Sequence, residues 1–135
     1  MGLGNPIGGF NSMTEFMGSG LPWVTSSIAA GTNVLHYEFP KITKKISVIN
    51  HETSTSKHIR VGFTYNGVNN GNYYMIDSGQ LFEFEARIKD IYIRADDPAD
   101  NPPFSLYAEL TMINSSQMPI LTGSIDGTKM WDGVG

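Results

Sequence analysis

The stretch Phe104-Ser105-Leu106-Tyr107-Ala108-Glu109-Leu110-Thr111-Met112-Ile113 decides the fold. Phe104, Leu106, Ala108, Leu110 and Met112 alternate with Ser105, Tyr107, Glu109 and Thr111. A period of two belongs to a strand with one face in a core and the other in water. Working outward, the pattern recurs. Lys57–Tyr65 sets Ile59, Val61, Phe63 and Tyr65 against Arg60, Gly62 and Thr64, and Leu81–Ile88 sets Phe82, Phe84, Ala86 and Ile88 against Glu83, Glu85 and Arg87. Ile91 and Ile93 keep that phase beyond Lys89-Asp90, as one long strand or as two meeting at a corner. Asn33–Phe39, Ile42–Asn50 (Ile46 and Val48 against Lys45 and Ser47), Tyr73–Ile76 and a weaker Ile120–Ile125 complete the set.

Turn chemistry separates these runs: Asn50–Ser56, Asn66–Asn72 with its Asn-Gly pairs, Asp77-Ser78-Gly79, and Asp96–Pro103 with three prolines. Helix signals are poor. Ser12-Met13-Thr14-Glu15 fits a capping box, but Gly18, Gly20 and Pro22 stop anything beyond a turn or so. Strands with one apolar face each, and no helices between them, imply antiparallel sheets packed face to face. The expected fold is all-β: a single jelly-roll sandwich of about eight antiparallel strands, with at most one short helix near the N-terminus. The expected organisation is a glycine-rich arm over 1–32, whose one charged side chain is Glu15, a jelly-roll domain over 33–125, and a C-terminal tail over 126–135.

Composition narrows the function. The chain has 135 residues, no cysteine, 16% charged residues and a formal net charge of -4. Without cysteine there are no disulfides, Cys-zinc sites, iron–sulfur clusters or thiol catalysis. The acidic balance disfavours a nucleic-acid binder, which would show a basic stripe. No apolar run is long enough to span a bilayer as a helix, and Met1–Phe10 has neither a basic nor an apolar region of a secretory signal, so a non-secreted protein is expected.

Catalytic constellations are missing from the sequence. His36, His51 and His58 lack the close spacing of a cupin-type metal site. Asp96, Asp97 and Asp100 beside Asn101 have an oxygen-rich composition but not the EF-hand pattern, and read as a solvated acidic loop. Met17-Gly18-Ser19-Gly20 is not a nucleophile elbow. Glu83 and Glu85 share a strand face with Arg87, as a charged surface would. No catalytic residue, cofactor or metal ligand is expected. Tyr73-Tyr74, Trp23 and Trp131 keep open a carbohydrate-binding sandwich, a lectin-like or virion attachment module.

A series of short signatures carries a resemblance. Leu21-Pro22-Trp23-Val24 is followed by Glu38-Phe39-Pro40 running into Thr43, then Arg60-Val61-Gly62-Phe63-Thr64 and Asn66-Gly67. Arg87-Ile88-Lys89, Phe104-Ser105-Leu106 with Ala108, Leu110-Thr111 and Ile113, and Leu121-Thr122-Gly123-Ser124 complete it. Over roughly residues 21–124 the chain resembles the penton, or vertex, capsid proteins of large icosahedral DNA viruses of eukaryotes. That resemblance implies a structural virion protein, not an enzyme: a single jelly roll that forms a homopentamer and closes the fivefold vertices. Its partners would be a double-jelly-roll major capsid protein and further minor capsid proteins. Its place would be the capsid vertex, with no nucleic-acid contact and no membrane span. Taking Asn33–Phe39 as the first strand of the jelly roll puts Asn66, Gly67, Asn69, Asn70, Gly71 and Asn72 between the third and fourth strands. By analogy with pentameric jelly-roll capsid proteins, that loop would lie near the fivefold axis, where small uncharged side chains avoid like-charge crowding.

Overall fold

The computed structural model describes residues 20–54 and 57–117, with two short strands beyond them. Eight strands build the body: β1 (Leu21–Ile28), β2 (Leu35–Glu38), β3 (Lys41–Asn50), β4 (Ile59–Gly62), β5 (Tyr73–Ile76), β6 (Leu81–Phe84), β7 (Asp90–Ala95) and β8 (Pro103–Asn114). Between β4 and β5 runs a short helix, α1 (Tyr65–Asn70), and β8 leads into a 3-10 turn, Ser115–Gln117. The strands form two four-stranded antiparallel sheets, ordered β1-β8-β3-β6 and β2-β7-β4-β5. That interleaving is the order of an eight-stranded jelly roll. The expected all-β sandwich is the fold observed.

One core joins the sheets. Ile46 and Val48 of β3 and Phe104, Leu106, Ala108 and Leu110 of β8 meet Ile59 and Val61 of β4 and Ile91, Ile93 and Ala95 of β7. The alternation read from the sequence therefore holds on these strands. It fails at Met112, which is exposed while its neighbour Thr111 is fully buried. The cause is a pair of register shifts between β3 and β8, at Lys41/Thr43 and Thr43/Lys45. An irregularity of this kind changes which side chains face inward beyond it. Thr111 Oγ1 then donates to Ile42 O at 2.8 Å. Phe63 and Phe84 are only partly buried, packed edge-on at 5.9 Å against the margin of the core.

The stretch 81–95 is two strands meeting at a corner, since β6 and β7 belong to different sheets. Buried Thr43 stitches the corner: its hydroxyl contacts Ala86 O at 2.7 Å and Ile88 O at 3.1 Å, and accepts from Ile88 N at 3.0 Å.

Two readings of the chain are corrected. Residues 21–28 of the expected arm are β1, a full strand paired with β8 from Leu21↔Leu110 to Ile28↔Pro103. As an edge strand it has a half-buried row, Trp23, Thr25 and Ser27, rather than an apolar one, so it lacks the signature of a core strand. Counting β1 moves every later strand up one place. Asn66–Asn72 therefore falls between the fourth and fifth strands, not the third and fourth, and it is not an open loop, since Tyr65–Asn70 is helical. The helix expected near Ser12 lies outside the described residues, as does most of Ile120–Ile125. Of that last segment, Thr122–Gly123 pairs with Thr128–Lys129 as a two-stranded ladder, β9 and β10.

The two ends of the sandwich differ. At one end the connections 29–34, 51–58, 77–80 and 96–102 converge, joined by Gly31 N to Asp100 O at 3.0 Å, Asn50 N to Gln80 O at 3.0 Å and Asp96 N to His58 O at 3.0 Å. At the other lie 39–40, α1 with its flanks, and 85–89, where Phe39 N donates to Lys89 O at 2.8 Å. The first end is mainly acidic, with Glu52, Asp77, Asp96, Asp97 and Asp100 against Lys57, whereas the second is mixed, with Lys41, Lys44, Arg87 and Lys89 beside Glu38, Glu85 and Asp90.

Candidate functional site

The segment from Arg60 to Asn72 is a built unit. Thr64 caps α1, its Oγ1 accepting from Gly67 N at 2.8 Å, and Gly71, at φ 122°, ends the helix. Val68 is fully buried against β4. Arg60 reaches under the helix C-terminus, donating to Val68 O at 3.3 Å and Asn69 O at 3.4 Å, and to Asp96 Oδ1 at 2.7 Å. Its guanidinium carbon lies 4.4 Å above the Tyr73 ring. Arg94 faces Arg60 across the β4–β7 ladder and donates to Asn69 Oδ1 at 2.8 Å. Burial, and then the charge of Arg60, push the Arg94 value down. Cations at a helix C-terminus are favourable, so the two arginines and the helix explain one another.

These contacts give the six residues singled out from the sequence their places. Asn66, Gly67, Asn69 and Asn70 lie in α1, Gly71 ends it, and Asn72 leads into β5. Asn69 is tied to Arg94, and Asn70 Nδ2 donates to Asn66 Oδ1 at 2.6 Å. The segment is a packed brace on the outer face of the β2-β7-β4-β5 sheet, at the end opposite the 51–58 connection.

The sandwich is open along both sides. On one side β1 lies over β2, with Trp23 edge-on to Tyr37 at 5.8 Å and to Phe39 at 5.0 Å. On the other β6 lies over β5, with Tyr74 stacked on Phe82 at 3.9 Å. All four are edge strands. Neither β1 nor β5 carries a charged residue. Natural edges are usually blunted by charge, Pro or bulges; β1 has Pro22 at its start and nothing else of that kind. Most exposed large apolar side chains among the described residues sit here. Leu21, Val24 and Ile28 are on β1, Tyr74 and Met75 on β5 and Leu81 on β6, while Tyr65, at the start of α1, and Met112, on the inner strand β8, lie elsewhere. On the β5/β6 side a cleft of 370 Å³ opens between the sheets, lined by uncharged residues, Phe63, Asn72, Tyr74 and Phe82 among them.

The titratable groups are distributed differently from the sequence reading. His51 Nε2 meets Ser105 Oγ at 2.7 Å, which meets Ser26 Oγ at 2.7 Å. These bonds include no carboxylate, the third member that activates a serine nucleophile. His58 Nδ1 lies 3.0 Å from Asp77 Oδ1 but off the line of a hydrogen bond. Asp96 holds Arg60, and Asp97 Oδ1 accepts from Ala99 N at 2.9 Å, so the acidic loop organises itself. A trio that sequence reasoning missed, His36, Glu38 and Asp90, brings its ligand atoms within 4.8 Å of one another. Its signal was the cross-strand register Glu38↔Asp90, which no linear spacing reveals. It has the donor set for a divalent cation, but it faces solvent and His36 Nε2 is already 2.9 Å from Asp90 Oδ1. His36 also stacks on Tyr92 at 4.2 Å. Burial, then the charges of Asp90 and Glu38, push the Tyr92 hydroxyl upward.

No family model and no curated protein matches the chain. Among solved structures it is similar to a protein of Bacillus endospore appendages described as disulfide-linked pili, at 14% identity over 69% of this chain and 88% of that one, with a TM-score of 0.45. It is also similar to the Yersinia pseudotuberculosis-derived mitogen, at 10% identity over 67% and 86% of the two chains and a TM-score of 0.40. A third likeness is to PirA, at 6% identity over 64% and 92% and a TM-score of 0.37. Similarity at this level assigns no function.

Proposed function

We propose that the chain is a structural virion protein, a penton subunit whose pentamer closes the fivefold vertices of the icosahedral capsid of a large DNA virus. One observation carries the reading: six exposed large apolar side chains, Leu21, Val24, Ile28, Tyr74, Met75 and Leu81, belong to the edge strands β1, β5 and β6 at the two opposite sides of the sandwich, beside the few charges there, Glu38 of β2 and Glu83 of β6. A subunit with two different sticky sides makes heterologous contacts, and these close into a ring when the rotation fits. In that ring the β1/β2 side of each copy meets the β5/β6 side of the next. The signatures behind the sequence resemblance have structural work in this fold: Thr43 stitches a corner, and Arg60, Gly62, Thr64 and Gly67 build the α1 brace. The analogy with a loop near the fivefold axis attaches to the connection after the third strand, not to 66–72.

A carbohydrate-binding sandwich is the second reading, favoured by the exposed Tyr74 ring, though Phe82 already covers one of its faces. The separating experiment is native mass spectrometry of the purified chain, alone and with the major capsid protein. Particles at five times the 14.8 kDa chain mass, and density for the chain at virion vertices, are expected. A monomer under both conditions that binds glycans on an array would replace the penton with a lectin.

A further inference from the structure

The cleft between β5 and β6 is an aromatic, uncharged recess on a side that the ring reading assigns to a neighbour. We infer that in the assembled ring it is filled by the N-terminal segment, residues 1–19, of the adjacent copy. The inference rests on the ring reading and names which part of the next subunit occupies this side.

Three observations support it. First, the chemistry matches. Residues 1–19 contain Leu3, Ile7, Phe10, Met13, Phe16 and Met17 and a single charge, Glu15. The cleft walls include Val61, Phe63, Tyr74 and Phe82 and no charged residue. An apolar side chain leaving water for such walls gains without stranding a charge. Second, the attachment point is suitably placed. The segment joins β1 at Leu21, on the side away from the cleft of its own sandwich and at the end where α1 and the cleft lie. In a ring that sets β1/β2 beside β5/β6 of the next copy, the neighbour's cleft is next to Leu21. The chain's own cleft is across the whole sandwich. Third, length permits both routes, since some 20 residues reach roughly 60 Å when extended, so closeness decides. A shorter closure costs less chain entropy.

The chain has no cysteine, so disulfide trapping is free of background. Full-length variants carry Asn72→Cys at the cleft rim together with one of Leu3→Cys, Ile7→Cys, Phe10→Cys or Phe16→Cys. They are assembled, oxidised and run without reductant, with thermal unfolding to confirm the fold. At least one pairing should convert most of the chain into a ladder of linked copies ending at the pentamer. Ser54→Cys in place of Asn72→Cys, at the opposite end, should give none. A disulfide confined within single chains would show the segment covering its own cleft and overturn the inference. Rings by native mass with no trapped pairing would also overturn it while leaving the ring reading intact. No rings and no ladder would remove both.

Discussion

Gly62 and Val68 touch so closely that a methyl group on Gly62 would sit 3.0 Å from the Val68 Cβ and 3.2 Å from its Cα and N. The near atoms are backbone as well as side chain, so α1 would have to lift. Gly62→Ala should therefore cost about 1–3 kcal/mol, the usual range for overpacking. Gly20→Ala, with nothing near, should be neutral. Chemical denaturation of both variants checks this, and an unperturbed Gly62→Ala would mean that α1 is not seated on β4.

Depth in the core sets a second expectation. Phe104 is almost wholly buried, whereas Phe84 packs at the open margin. Phe104→Ala should lose about 3–5 kcal/mol, Phe84→Ala clearly less, and Glu83→Ala almost nothing, because its 3.6 Å pair with Lys45 is exposed. Melting temperatures in the order Glu83, Phe84, Phe104 variant, highest first, are expected. A different order would contradict the strand phase or the depth of these sites.

Thr43→Val keeps the shape of a fully buried side chain and removes its hydroxyl, leaving Ile88 N without that acceptor. A stranded buried group costs about 1–3 kcal/mol. The loss should appear as a lower denaturation midpoint with an unchanged slope. Full stability would show that the corner does not depend on Thr43.

Tyr92 supplies a test in alkali. Burial and the neighbouring charges of Asp90 and Glu38 raise its folded value above the ordinary tyrosine value of about 10. A raised value means that its contribution is complete below the unfolded value and is lost as pH climbs through the folded one. Tyr92→Phe, which keeps a ring against His36, should flatten the alkaline fall of the melting temperature. An identical alkaline profile would remove Tyr92 as its source.

Asn69→Asp and Asn70→Asp should part company. An aspartate at 69 loses the exposed donation of Nδ2 to Tyr65 O at 3.1 Å but faces the Arg94 guanidinium, a charge-assisted contact that offsets the loss, so stability should hold or rise at low salt. One at 70 exchanges a donor to Asn66 Oδ1 for a second acceptor, and stability should fall. Calorimetry at two salt concentrations separates them. If both variants weaken only the assembled ring, and salt rescues both, the segment sits where copies crowd one another.

The core strands were legible because each buries one whole face, and Ile46, Val48, Leu106 and Leu110 announce that at a period of two. β1 was not, since an edge strand half-buries Trp23, Thr25 and Ser27 and exposes Val24 and Ile28, the reverse of a core pattern. Missing it displaced the strand count and with it the place of 66–72. The α1 brace was hidden because Asn-Gly pairs signal turns, and what makes this stretch helical is tertiary: Val68 under cover, Thr64 as cap and two arginines at the far end. The outward turn of Met112 depends on register shifts between strands far apart in sequence, which no local window contains.

The separation of the two ends has an evolutionary consequence. The 96–102 connection joins β7 to β8, neither of them an edge strand, and lies at the end away from α1, whereas the turn Asp77–Gln80, with Gly79 at φ 75°, joins β5 to β6 and so closes one open side at that end. Lengthening an exposed connection adds little chain entropy and leaves distant packing untouched. The 96–102 connection is therefore the place to accept insertions, a graft site for foreign peptides or a point of divergence between lineages, while in the proposed ring the open sides would stay fixed.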